Sequence, residues 1–357
     1  MTKDQTYCLR TRHIQQRLSA LKIDAYLIAH SVNINYLTGF HGEDAWLLVM
    51  AHRAFYLTDG RFTEAARRYL PKSIQVVDID QSYYKTIAKL LKAKKVKRCG
   101  FNEKHLNVFE FKTLQQHRPA GVRLEAVLDE VEVMRLIKDE GEIRLIRQAL
   151  AIHQALLNNA RKWIVPGQSE ADLAWKMECF LRKKGVGWSF PPIVASGPNS
   201  SYPHAQVTWR KCRKNDVVLV DTGVEVNGYK SDLTRIFFLG KIRQLIQDVY
   251  AAVDAARRET IRRIGPGMTC YAADQIARNS LKKNKLEKYF THSTGHGVGL
   301  EIHEAPRLGR QINKILEPGM VVTVEPGVYF PGKFGIRIED MVLITKKGCE
   351  CLSDNRN

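Results

Sequence analysis

The 357-residue chain is 44% apolar and 26% charged, the composition of a folded protein and not of a disordered one, and it is long enough for two domains with separate cores. Its 56 Lys and Arg against 37 Asp and Glu give a net charge of +19. That admits a polyanionic partner, but no zinc-finger spacing or RNP-like aromatic motif accompanies the charge, and specific nucleic-acid binding is the weaker reading.

No uninterrupted apolar run reaches the length of a membrane span, and the first thirty residues hold no apolar h-region; no membrane association and a cytoplasmic location are expected. Seven cysteines without a CxxC pair fit neither a disulfide framework nor a zinc ribbon, so Cys349 and Cys351, two apart, read as reduced thiols with no joint task.

The N-terminal third alternates helical and strand-like segments: IQQRLSALKI, then AYLIA, AWLLVM, RAFYLT and IQVVDI, then a basic helix IAKLLKAKK, then CGF and RLEAV. This is a small α/β domain, expected over residues 1–128. The run KAKKVKR from Lys92 to Arg98 reads as a solvated helix end. Nothing in this third concentrates His, Asp or Glu in a metal-ligand pattern.

The second domain, expected over 129–357, opens on a long amphipathic helix from about Lys138 to Trp163, carried by Ile143, Ile146, Leu150 and Leu157 and stopped before Pro166-Gly167. It contains an internal repeat. IVPGQSEADLAWK at Ile164 is echoed by IGPGMTCYAADQI at Ile264, each with Pro-Gly followed by a capping Ser169 or Thr269. Each copy then runs through a Gly/Ser-rich segment with histidine into an apolar strand ending in a carboxylate, VVLVD at Asp221 or VVTVE at Glu325. The matching order of elements indicates duplication, with a site expected between the halves.

In VVLVDTGVEVNGYKSDLTR, Asn227-Gly228 signals a two-residue hairpin turn. That turn pairs Val226 with Tyr229 and sets Asp221 opposite Thr234, so Asp221 and Asp232 share a face as diagonal neighbours, roughly 7–8 Å apart at the backbone. Two like charges so close call for a cation between them. In GIRIEDMVLIT, alternation puts Arg337 and Glu339 on one face and Asp340 on the other, which makes Glu339 the candidate ligand. The segment THSTGHGVGLEIHE adds His292, His296 and His303; Gly295, Gly297 and Gly299 argue against a helical zinc motif there. Two aspartates, two glutamates and an imidazole suit a pair of hard or borderline divalent ions, Mn²⁺, Co²⁺ or Zn²⁺, and such ions activate water at neutral pH, which points to hydrolysis.

At these residues the sequence resembles the pita-bread metallopeptidases, the family of methionine aminopeptidase, aminopeptidase P and prolidase. NINYLTGF and LTDGRF in the N-terminal third extend the resemblance over nearly the whole chain, toward the proline-specific branch. The resemblance implies an α+β pita-bread domain with a pseudo-two-fold repeat behind a smaller α/β domain. It implies two divalent ions, Mn²⁺ first with Co²⁺ or Zn²⁺ as alternatives, held by Asp221, Asp232, His296, Glu325 and Glu339. By the same resemblance Glu325 exchanges protons with the attacking water, His204 and His303 contact the scissile peptide, His292 lines the substrate pocket, and Arg337 supports the carboxylates. The implied activity is that of an Xaa-Pro aminopeptidase acting on proline-containing peptides, in a homodimer. Prolidase is the alternative, because Arg307 in HEAPRLG resembles the arginine with which some prolidases hold the free carboxylate. A binding module on the same fold is the alternative of another class, and retention of all five ligand positions weighs against it.

Overall fold

The computed structural model describes residues 3–79 and 82–354. The chain divides into two compact units, Met1–Arg135 and Leu136–Asn357. Among the described residues no helix is long and apolar enough to cross a membrane.

The first unit runs α1 (Lys3–Ala20), β1 (Ala25–Ile28), α2 (Ser31–Thr38), β2 (Trp46–Met50), β3 (Arg53–Thr58), α3 (Thr63–Tyr69), β4 (Ile74–Asp78), α4 (Tyr83–Ala93), β5 (Arg98–Phe101), α5 (Val108–His117) and β6 (Arg123–Ala126), and α6 (Glu130–Leu136) leads out of it. Every strand expected from the sequence is present. They form one sheet in the order β4-β3-β2-β1-β5-β6. β1 pairs antiparallel with β2 and parallel with β5. β1 and β2 are buried along their whole length, the state of strands covered on both faces. Leu27, Leu48, Phe55 and Leu57 pack with Ile87 and Leu91 of α4. Lys92, Lys94, Lys95 and Lys97 beyond that packed stripe are exposed, the solvated helix end that the sequence suggests.

The second unit opens with α7 (Glu140–Trp163), whose N-cap Asp139 and Glu142 form a reciprocal capping box, and continues with α8 (Glu170–Lys183), β7 (Gly187–Trp188), β8 (Ile193–Ser196), β9 (Val217–Thr222), β10 (Val224–Val226), β11 (Tyr229–Lys230) and β12 (Leu233–Phe238). The second half supplies α9 (Gln244–Arg263), α10 (Cys270–Lys283), β13 (Gly295–Gly297), β14 (Glu304–Leu308), β15 (Val321–Val324), β16 (Gly327–Phe330), β17 (Phe334–Arg337), β18 (Asp340–Thr345) and β19 (Gly348–Cys351).

The repeat is physical. α8 and α10 both have 14 residues and are capped alike: Ser169 Oγ accepts from the Asp172 N–H and Thr269 Oγ1 from the Ala272 N–H. The Pro-Gly turns dock alike too, Gly167 N–H donating to the Cys212 carbonyl at 2.8 Å and Gly267 N–H to the Leu316 carbonyl at 2.9 Å. Each half has its own sheet, β8-β9-β12 in the first and β14-β13-β15-β18-β19 in the second. The Glu339 N–H donates to the Thr234 carbonyl at 3.2 Å and so stitches the halves together at their carboxylate-bearing segments.

GIRIEDMVLIT departs from the single alternating strand that its pattern suggests. β17 ends at Arg337 and pairs with β16, whereas β18 begins at Asp340 and pairs with β15. Ile338 and Glu339 bridge two sheets, which is why both faces of this segment are buried.

Candidate active site

Five acidic or imidazole side chains meet in the second unit, each delivered by a different local device. The Asn227-Gly228 turn has both residues at positive φ, 48° and 83°, and pairs Val226 with Tyr229. The register puts Asp221 opposite Thr234. Both match the sequence derivation. Asp221 stands in β9 and Asp232 just before β12; the two are 8% and 4% exposed, and Glu339 is 2% exposed. Glu325 follows β15 and is held there by its N–H donating to the Thr294 carbonyl at 2.8 Å.

His296 occupies the middle of β13, where the register with β14 shifts between His296 and Gly297, a bulge of the kind that re-aims side chains beside active sites. The flanking glycines serve the sheet and not the ligands. A Cβ on Gly295 would run into the Thr323 carbonyl, and one on Gly297 into the Ala305 carbonyl. β13 is therefore squeezed between two backbones that only glycine admits. His296 Nδ1 donates to the Gly297 carbonyl at 3.0 Å, which leaves Nε2 as a lone pair 3.5 Å from Asp232 Oδ2 and 3.5 Å from Glu325 Oε1. One ligand atom each from Asp232, His296 and Glu339 lies within 4.8 Å of the others.

The electrostatics are those of acids crowded together out of water. Burial, then Glu339, Asp221 and Glu325, push Asp232 well above the usual carboxylate range. Burial, then Glu325 and Asp221, do the same to Glu339. Burial lifts Glu325 to about 8 against the pull of Arg337, and burial lowers His296 to about 4, so its ring is neutral.

Arg337 is the buried counter-charge, 3% exposed. Its Nη2 reaches Asp221 Oδ2 at 2.5 Å, its Nε donates to Thr234 Oγ1 at 3.1 Å, and its Nη1 donates to the Tyr329 hydroxyl at 2.6 Å and the Pro203 carbonyl at 3.0 Å. Thr234 relays this contact by donating to Glu339 Oε2 at 2.7 Å. Four carboxylates against the Arg337 guanidinium leave three negative charges uncompensated when all are ionised, and among the described residues Asp221 Oδ1 is buried with no hydrogen-bond partner. An orphaned carboxylate oxygen, a neutral imidazole with a free lone pair and clustered acids fit divalent cations.

The remaining sequence-predicted residues surround this cluster. His292 Nδ1 donates to the Ser293 carbonyl at 2.8 Å and its Nε2 accepts from the Tyr329 hydroxyl at 3.0 Å; burial lowers it to about 3. The His303 ring lies edge-on to His296, centroids 4.4 Å apart, and is open to solvent, as is His204. No hydrogen bond ties His204 to the cluster among the described residues, but the preceding carbonyl, Pro203, is the one Arg337 holds. Arg307 stands opposite His296 in the β13–β14 register and donates from Nε to Ser293 Oγ at 2.6 Å. With His292, Lys288 and Arg310 it lines a cavity of about 530 Å³.

Three contributors escaped sequence reasoning. Tyr329 joins Arg337 to His292. Thr234 joins Arg337 to Glu339. His153, fully buried on α7, spans Thr222 Oγ1 at 2.8 Å and Ser231 Oγ at 3.1 Å, the residues next to Asp221 and Asp232. Only the tertiary fold brings these groups together, although a lone histidine on the apolar face of α7 was a visible signal.

Comparison with known proteins agrees with this architecture. The model of the metallopeptidase family M24 matches residues 144–346, and that of the creatinase/prolidase N-terminal domain matches residues 10–137. The chain belongs to metallopeptidase family M24. A relative in Bacillus subtilis named as an uncharacterized peptidase, YqhT, is 34% identical over 95% of this chain and 96% of its own. Among solved structures, an Xaa-Pro dipeptidase from Bacillus anthracis superposes with a TM-score of 0.94 at 32% identity, covering 98% of each chain. An X-Pro aminopeptidase from Thermotoga maritima does so at 0.87 and 31%, covering 95% of this chain and 97% of that one. The M24 chain is thus a metallopeptidase, with a pita-bread second unit behind an N-terminal unit of the creatinase type, and its family implies divalent metal ions.

The raised carboxyl groups have a measurable consequence. Between the unfolded carboxylate value of about 4 and the folded value of about 8 for Glu325, the metal-free folded state holds more protons than the unfolded state. Its stability therefore falls as pH rises through that window. The Tm of chelator-treated M24 protein is expected to drop between about pH 5 and pH 8 relative to metal-loaded protein, with proton release on metal uptake. Parallel Tm profiles in a scanning calorimeter would count against the cluster.

Proposed function

We propose that this chain is a two-metal peptidase that hydrolyses the peptide bond preceding proline, with Asp221, Asp232, His296, Glu325 and Glu339 as the ligands. The observation that carries the reading is the meeting of ligand atoms of Asp232, His296 and Glu339 within 4.8 Å of one another, with Glu325 3.5 Å from His296 and Asp221 held by the buried Arg337 guanidinium. The oxygen-rich set suits Mn²⁺ first, with Co²⁺ or Zn²⁺ as alternatives. Such ions supply a water nucleophile at neutral pH and polarise the scissile carbonyl.

The chain's own residues do the rest. Arg337, through Asp221 and Thr234, fixes the carboxylates so that they need not reorganise during the reaction. Glu325, pushed up to about 8 when no cation opposes it, is the group in the cluster suited to hold a proton near neutral pH and hand it to the departing amine. His303 and His204, on the open side, donate hydrogen bonds to the carbonyl oxygen as charge develops there. The chain Arg337–Tyr329–His292 holds the neutral His292 ring against the substrate side. Specificity for proline is supported by the names of the two structural neighbours; a tertiary amide without an N–H needs such a dedicated site.

Sequence reasoning favours the aminopeptidase. The position of Arg307 favours the dipeptidase instead, because the guanidinium lies beside His292 in a cavity lined by four cations, Arg278, Lys288, Arg307 and Arg310, against the acid Glu287. Such a wall suits the free carboxylate of a C-terminal proline. The test compares Xaa-Pro with Xaa-Pro-Xaa peptides in Mn²⁺, Co²⁺ and Zn²⁺. Arg307→Ala is expected to raise KM for the dipeptide about 10- to 100-fold, the range for one charged hydrogen bond, with little change for the tripeptide. Turnover of tripeptides alone would return the assignment to the aminopeptidase. No turnover of either peptide would reject the proline-directed reading.

A further inference from the structure

The sequence shows no ligand pattern in the first unit, yet the fold builds one from residues spread between positions 30 and 132. The chain begins its sheet at β1, proceeds outward through β2 and β3 to β4, and returns to place β5 on the other side of β1 and β6 beyond it. β1 and β5 are adjacent and parallel, so the segments leaving their C-terminal ends diverge. A crevice at such a switch point is where open α/β sheets place ligands.

His30 follows β1, Asn102 and His105 follow β5, and Glu132 comes in from α6. The two imidazole rings lie face to face, centroids 4.0 Å apart and planes within 3°. His105 Nε2 is 2.6 Å from Glu132 Oε1. One ligand atom from each of His30, His105 and Glu132 lies within 4.8 Å of the others.

A hydrogen-bond network alone accounts for half of this. Glu132 Oε1 accepts from Asn33 Nδ2 at 2.6 Å and Asn102 Nδ2 at 3.3 Å in addition to its contact with His105. Arg135 in turn fixes Asn33 by donating to its Oδ1 at 2.8 Å. Glu132 Oε2, however, is buried with no hydrogen-bond partner among the described residues, an unfavourable state unless something else satisfies it. Nor does a network explain two rings held in register.

Two imidazoles and a carboxylate, with amide and guanidinium groups steadying the carboxylate from outside, are a borderline-metal ligand set. His105 and Glu132 are 22% and 21% exposed, which leaves a side open for water as a further ligand. We infer that the first unit carries its own transition-metal site, of the zinc class, on His30, His105 and Glu132, separate from the carboxylate cluster of the second unit. The ion ties the segments after β1 and β5 to α6, and it raises the metal content of the chain by one.

The test uses the full chain with the second-unit cluster disabled by Asp232→Asn and Glu339→Gln, and Zn²⁺ as the probe, titrated against a chromophoric chelator. One equivalent is expected in that background, with affinity reduced at least about tenfold by His105→Ala or by the near-isosteric Glu132→Gln. Should His105→Ala fail to fold, Glu132→Gln and protection of His30 and His105 from acylation by Zn²⁺, read by mass spectrometry in the unmutated chain, decide the matter. In an otherwise unmutated chain, Glu132→Gln should leave peptide turnover unchanged. Absence of stoichiometric Zn²⁺ in the disabled background, or binding indifferent to both substitutions, would overturn the inference.

Discussion

Asp232→Asn will abolish peptide turnover and leave the protein folded. The side chain keeps its shape, but it loses the charge that meets His296 and Glu339 at the centre of the cluster. Metal affinity should fall, and kcat/KM should drop by about three orders of magnitude or more, the scale of losing a catalytic element. Because Asp232 sits among Glu339, Asp221 and Glu325, whose charges oppose its own ionisation, removing its charge relieves repulsion in the metal-free state. The variant should therefore be at least as stable as the parent in chelator, as read by calorimetry. Turnover within tenfold of the parent would refute the proposed role of Asp232, whatever the stability.

Arg337→Met will act in the opposite sense, on stability first. The guanidinium satisfies Asp221, Thr234, Tyr329 and the Pro203 carbonyl at once, and its loss leaves Asp221 buried beside three other acids with no cation. Breaking a buried pair in this way costs about 3–5 kcal/mol. For a domain of this size the loss lowers Tm by roughly 10 °C. Arg337→Lys keeps the charge without the planar fork and should fall between the two. Adding Asp221→Asn to Arg337→Met should recover part of the loss, since the stranded charge goes with it. A Tm within a degree or two of the parent for Arg337→Met alone would show that the acids are not ionised there.

The first hairpin was legible because its signal is local: a two-residue turn fixes the register, and the register sets Asp221 opposite Thr234. The caps at Ser169 and Thr269 were legible for the same reason. The segment around Glu339 was only half legible. Alternation rightly separated Glu339 from Asp340, but it could not reveal that the strand breaks at Ile338 and Glu339 to serve two sheets. The task of the glycines around His296 was not legible, since the neighbouring backbones they accommodate come from β14 and β15, which the sequence does not align with β13. Tyr329, Thr234 and His153 reach His292, Glu339 and Thr222 across 37, 105 and 69 positions of chain. No window on the sequence spans such pairs, and the His30, His105 and Glu132 group was hidden for the same reason.

Glu339 and Asp340 are consecutive, equally buried and oppositely provided for. Glu339 faces the acidic cluster, whereas Asp340 is held by Arg235, Arg257 and the Ser353 hydroxyl. Arg235 also grips the backbone carbonyl of Glu339. Stripping cations from the centre therefore unbalances one carboxylate and leaves its neighbour clamped in place. The frame of the proposed centre thus rests on contacts that do not involve its contents, and exchange of one ion for another is expected to proceed without unfolding.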